Sequence, residues 1–182
     1  MSIELLEAVR NGNLAAAAEL LGSGAERDFR AESGHTPLMV AARSGNVGMV
    51  RLLIESGADV HLEDDRGWTA LFMGCHDPEA DRGYPDVVEA LIRAGSDIEK
   101  PIGYGITPLM LAAGYGEAGV VEILLEAGAK VKAVNEGGRT ARQMATDKHY
   151  IEVVNLLWEA EMTLGEDRAC SSGPATVKFF RQ

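Results

Sequence analysis

The sequence predicts an all-α solenoid of about five helix-turn-helix units with turns projecting along one edge, and three observations predict it. A short phrase recurs as Gly34-His35-Thr36-Pro37-Leu38, Gly67-Trp68-Thr69-Ala70-Leu71, Gly105-Ile106-Thr107-Pro108-Leu109 and Gly138-Arg139-Thr140-Ala141-Arg142, at intervals of 33, 38 and 33 residues. Small residues follow in phase, as Ala41-Ala42, Gly74-Cys75, Ala112-Ala113 and Ala145-Thr146, where a first helix must lie close to its neighbours. Apolar residues at helical spacing come next, closed by Gly57-Ala58, Gly95-Ser96 and Gly128-Ala129. Two short helices cannot bury their apolar faces alone, so a fixed period of this length implies stacking.

Unit one, residues 1–33, is divergent but keeps Gly12-Asn13, Leu20-Leu21 and Gly24-Ala25 in register. Unit two, 34–66, opens its first helix with Thr36-Pro37, a capping side chain followed by a residue whose φ is already helical. Its second helix carries Val50, Leu52, Leu53 and Ile54. Unit three, 67–104, repeats that pattern with Val88, Ala90, Leu91 and Ile92 but is five residues longer. Trp68 to Cys75 and Gly83 to Val88 both stay in frame, which confines the insertion to His76–Arg82, in the turn between the helices. Such an extension costs little closure entropy, and it reads either as a widened binding surface or as a neutral insertion. Unit four, 105–137, returns to the 33-residue period, and unit five, 138–160, keeps Ile151, Val153, Val154, Leu156, Leu157 and Trp158. Residues 161–182 form a tail expected to dock. Its Val177–Phe180 segment either caps unit five or anchors the chain to a partner.

In these motifs and their phase the chain resembles an ankyrin-repeat protein over residues 1–160, and as a compact array it is similar to bacterial ankyrin proteins. The resemblance implies a protein partner bound by the concave face and fingers, and some bacterial relatives act as inhibitors or immunity partners of toxins. The usual family histidine of Thr-Pro-Leu-His is replaced by Met39, Phe72, Met110 and Gln143. Met39, Phe72 and Met110 either fill core, the better reading, or form an adaptable surface stripe.

Finger and first-helix positions that vary in such arrays supply the expected partner-binding set. They are Arg66, Trp68, Tyr104 and Ile106 in the fingers, His76 and Tyr115 at the first-helix ends, and Asp77, Glu79 and Asp81 in the insertion. Exposed Trp and Tyr commonly anchor interfaces; alternatively, these rings pack between fingers and stiffen the array.

The net charge is −11, and between Asp59 and Glu89 nine acids face two bases. This concentration is either a solvated surface or a field, with Asp64 and Asp65 within it, that steers a basic protein partner. It disfavours nucleic acid, which demands a basic footprint. Met1-Ser2-Ile3-Glu4 shows no basic segment followed by an apolar run, so no signal peptide is expected, and no apolar run approaches the ~18 to 20 residues that span a bilayer. With only Cys75 and Cys170, a reducing cytoplasm is the expected location and a free monomer the expected state.

Catalytic, cofactor and metal sites are not expected. Cys75-His76-Asp77 is contiguous, but Cys75 occupies a core slot, and His35, His61, His76 and His149 fall in separate places without metal-ligand spacing. Two other functional readings remain open. One is a scaffold contacting its partner through the tail, and the less favoured is an enzyme or metal-dependent accessory built on His76 and the insertion acids.

Overall fold

A computed structural model describes residues 2–166, which form ten α-helices. These are α1 (Ser2–Arg10), α2 (Leu14–Gly22), α3 (Pro37–Arg43), α4 (Val47–Glu55), α5 (Ala70–Cys75), α6 (Pro85–Arg93), α7 (Pro108–Tyr115), α8 (Ala118–Glu126), α9 (Ala141–Asp147) and α10 (Ile151–Glu166). The odd-numbered helices pack on one another in chain order as one row, the even-numbered helices as a second, and each pair is joined by a turn. The protein is therefore an all-α solenoid of five units.

Threonine starts every first helix after unit one. The side chains of Thr36, Thr69, Thr107 and Thr140 accept from the backbone N–H of Met39, Phe72, Met110 and Gln143, satisfying donors that the helix itself leaves open. In α9 the Gln143 carbonyl oxygen returns the favour to the Thr140 N–H at 2.9 Å, and in α3 the Met39 sulfur takes that place at 3.4 Å. The glycines that close the second helices, Gly24, Gly57, Gly95 and Gly128, all have positive φ.

The core is continuous through the array. Met39, Phe72 and Met110 are buried within it, whereas Gln143 is exposed. At the far end, α10 buries Val153 and Leu157 but exposes Ile151, Trp158 and Met162. The helix runs past residue 160 to Glu166, so the expected start of the tail falls inside it. The Val177–Phe180 segment lies outside the described residues.

The turn of residues 76–84 joins α5 to α6. Between α5 and α6 the chain pairs with itself, Asp77 N–H donating to Arg82 C=O at 2.8 Å and Arg82 N–H to Asp77 C=O at 3.3 Å.

Candidate functional site

Each finger is a tight backbone loop at the foot of the next first helix. In unit three Asp64 N–H donates to Trp68 C=O, and Gly67 N–H to Asp64 C=O, both at 2.9 Å. The Asp64 carboxylate then accepts from the N–H groups of Arg66 (2.9 Å) and Trp68 (2.8 Å). Asn135 repeats the arrangement in the last finger by accepting from Arg139 N–H at 2.9 Å. The side chain of Asp64 is consequently buried, with His35 Nε2 at 3.5 Å and Arg66 Nε at 3.4 Å. This corrects the expectation that Asp64 is a steering charge, because its charge is consumed in holding the finger. Asp65 is exposed.

Two more expected contacts are inside the protein. His76 is buried; its ring stacks on Tyr115 at 3.8 Å between centroids and 11° between planes, and its Nδ1 is 2.8 Å from Glu117 Oε1. It cannot itself be a partner contact in this arrangement, and it positions Tyr115 instead. Asp77 is also buried, accepting from the N–H groups of Glu79 and Ala80, each at 3.2 Å, and from Arg43 Nε at 3.4 Å. It folds the insertion and ties it to unit two, while Arg43 also pairs with Glu79.

The remaining expected residues lie at the surface to different degrees. Tyr104 is 80% exposed at the tip of its finger, in the left-handed region (φ 65°), with its carbonyl accepting from Glu136 N–H of the following finger at 3.0 Å. A bulky residue there is strained, and such strain persists only where the surroundings hold it. Tyr115 is 49% exposed, Arg66, Glu79 and Asp81 are exposed, and Ile106 is half-buried against the core. Trp68 is half-buried too, with its ring 6.1 Å from that of Phe72 and 4.9 Å from the Arg66 guanidinium. Its indole thus combines a packing role with an accessible edge.

Around that edge lies a pocket of about 110 Å³ between units two and three, lined by His35, Arg43, Arg66, Trp68, Met73, His76 and Pro78. His76 joins it to Tyr115 of unit four. Arg43 and Glu117 were missing from the expected set. Arg43 had a signal, since it holds in unit two the first-helix-end position that His76 and Tyr115 hold in the next units. Glu117 had none, because its partner His76 is 41 residues away.

The site has little nucleophilic chemistry. Cys75 is fully buried, and burial, reinforced by the Glu117 carboxylate, pushes its thiol well above the usual range, so the reactive thiolate is suppressed. Among the described residues no three His, Cys, Asp or Glu side chains converge as a metal site, and no helix is long and apolar enough to cross a membrane.

A family model described as ankyrin repeats (3 copies) matches residues 5–101 and 79–166. The chain belongs to the ankyrin-repeat family. It is 38% identical over 90 residues to the ankyrin repeat and KH domain-containing protein mask-1 of Caenorhabditis elegans. That match covers 46% of this chain and 3% of the relative's length. Ankyrin repeats are protein-protein interaction modules and generally non-catalytic.

Proposed function

We propose that this ankyrin array binds a protein partner through the finger face of units two to four, without catalysing a reaction on it. The observation that carries the reading is Tyr104, a large ring kept exposed on strained backbone, with Tyr115 and the Trp68 pocket on the same row of fingers and first-helix ends. Aromatic side chains lose little conformational entropy on binding and bury a large area, which suits them as anchors. The exposed acids Asp65, Glu79, Asp81 and Asp86 draw in a partner whose overall surface is basic, in the cytoplasm, and an inhibitor or immunity-type role follows if they cover a basic functional site. A free monomer is the state assigned to the unbound chain.

The test is quantitative capture from native lysate by wild type and by Tyr104→Ala/Tyr115→Ala, with circular dichroism to verify folding. A specific partner recovered by wild type should fall at least about tenfold in the variant, the loss of one good anchor. Equal recovery from a folded variant rejects the finger face. Capture that declines as salt rises supports steering, and salt-independent capture removes it.

A second reading is favoured by the stripe Ile151, Trp158 and Met162, which share one face of α10 and are exposed. In it the C-terminal end makes the contact, and Trp158→Lys abolishes capture while the tyrosine pair leaves it unchanged.

A further inference from the structure

The even-numbered helices share one register, and unit five stops where that register calls for another helix. Pro85, Ala118 and Ile151 hold the same position, 33 residues apart, at the start of α6, α8 and α10. Pro85 reaches forward onto the next unit, its Cγ lying 3.1 Å from where a Cβ of Gly119 would stand, so this position faces the following helix of the row. Among the described residues no helix follows α10. Ile151, Trp158 and Met162 are 72, 52 and 51% exposed, whereas Ala118 and Leu125, which hold the places of Ile151 and Trp158 in unit four, are half-buried. The stripe is thus the unfilled stacking face of the array. We infer that this chain's own Val177–Arg181 segment, outside the described residues, covers it.

Charge complementarity names the occupant. Residues 151–166 carry four acids, Glu152, Glu159, Glu161 and Glu166, and no lysine or arginine. Glu161 is engaged by Arg142 Nε at 2.9 Å. Glu152 and Glu159, seven residues apart and so about two turns along one side of the stripe, are exposed. The face therefore suits a segment that is both apolar and basic. Residues 168–182 hold three bases and no acid, in a chain whose net charge is −11. Within them Val177-Lys178-Phe179-Phe180-Arg181 offers three apolar side chains to Ile151, Trp158 and Met162, and two cations to the glutamates.

Length permits the return. The connection from Glu166 to Val177, about 11 residues, reaches at most about 36–40 Å, whereas the stripe extends back only about 22 Å from Glu166 to Ile151 at 1.5 Å per residue. Gly173-Pro174 within that connection is a turn signal. A short connection holds the segment at roughly millimolar effective concentration, so even weak pairing is populated within one molecule before a second molecule competes. A second copy fits poorly. Two α10 faces would set the exposed glutamates of one against those of the other, and three partly exposed side chains of at most about 250 Å² each fall short of the roughly 800 Å² per partner of a stable interface.

Covering the stripe gives the last unit the shield that a terminal repeat needs, built from residues outside the repeat pattern. A protein contacting this end of the array has to displace the segment first. The fingers of units two to four stay open meanwhile, so the inference stands apart from the finger-face reading.

The experiment uses the full chain labelled with nitrogen-15 and reads its two indole N–H signals. Trp158 reports on the stripe, and Trp68, in unit three, is a built-in control. Phe179→Ser/Phe180→Ser should shift Trp158 and leave Trp68 still, to the same extent at every protein concentration, and it supplies the open reference position. Lys178→Glu/Arg181→Glu should move Trp158 toward that position, raising the open fraction about two- to fivefold, the worth of a surface pair. In a Glu152→Lys/Glu159→Lys background, with its own serine-pair reference, the same reversal should close the cover instead. A Trp158 signal unmoved by the serine pair leaves the stripe to an outside partner, a shift that follows protein concentration assigns it to a second copy, and opening by the reversal in both backgrounds removes the charge pairing; each of these overturns the inference. The finger-face reading fails separately, through capture that survives loss of Tyr104 and Tyr115.

Discussion

The turn joining the helices of unit two and the turn joining those of unit three connect equivalent elements, yet they are held in opposite ways. In unit two the chain reverses at Gly45, with φ at 69°, and the Tyr84 ring of the next unit lies where a side chain would be, 2.3 Å from the position a Cβ would take. Unit four repeats this with Gly116 beneath Tyr150. These short turns are bare backbone covered from outside. The unit-three turn supplies its own support through the Asp77–Arg82 backbone pair and the Asp77 carboxylate, and it reaches out to unit two through Arg43. It returns to the helical frame at Gly83, where a Cβ would stand 2.4 Å from the Cys75 carbonyl oxygen and 2.8 Å from Val120 of unit four. Closing a longer loop costs little, but ordering each extra residue costs about 1–2 kcal/mol. Anchors to both neighbouring units offset that cost, and they make the insertion part of the finger face instead of a solvent loop.

The sharpest way to break this contrast is to fill the two glycines. Gly83→Ala meets backbone that cannot move aside and should lose about 3 kcal/mol in urea unfolding, the upper part of the range for overpacking. Gly45→Ala should lose about 2 kcal/mol from the left-handed backbone and the displaced ring. In a Tyr84→Ala background the Gly45 loss should shrink, and the Gly83 loss should not; equal coupling of both to Tyr84 would mean that one mechanism holds both turns.

Next in size is Arg43→Gln. It should cost about 1–2 kcal/mol, as expected for half-exposed charged hydrogen bonds, and should raise amide exchange at residues 77–82 while leaving the Gly116 turn protected. Uniform exchange across both turns would contradict the clamp.

The smallest effects are gains. His149 has φ at 61° at the place where Gly45 and Gly116 stand in their units, and Asp81 has φ at 49° within the insertion. His149→Gly should stabilise by about 0.5 kcal/mol, strain relief less the added freedom of the unfolded chain. Asp81→Gly should gain less, because aspartate tolerates this region better. A midpoint shift in the same denaturation assay measures both, and a loss at His149 would show that its side chain contributes more than the strain removes.

What the sequence revealed was what is decided locally. Threonine caps and the glycine phase depend on residues a few positions apart, and the core placement of Met39, Phe72 and Met110 follows from the helical period. The burial of Asp64 was not legible in a run of acids, although Asp64 and Asn135 at the same register, four residues before Trp68 and Arg139, carried a usable hint of a side-chain-closed finger. His76 and Asp77 read as exposed because the groups that withdraw them from solvent, Tyr115, Glu117 and Arg43, belong to adjacent units. Inter-unit contacts form only when the array stacks, so a period can locate them without showing which charges they consume.

The buried thiol of Cys75 gives the array an internal clock. A solenoid opens from its ends inward, because each unit is held only by its neighbours, and Cys75 sits in the middle unit with its sulfur shut away from alkylating reagents. In a Cys170→Ser chain, fraying of α1 or α10 leaves no chemical mark, and only an opening that travels as far as unit three is recorded. The alkylation rate of this single side chain thus counts how often the array comes apart at its centre.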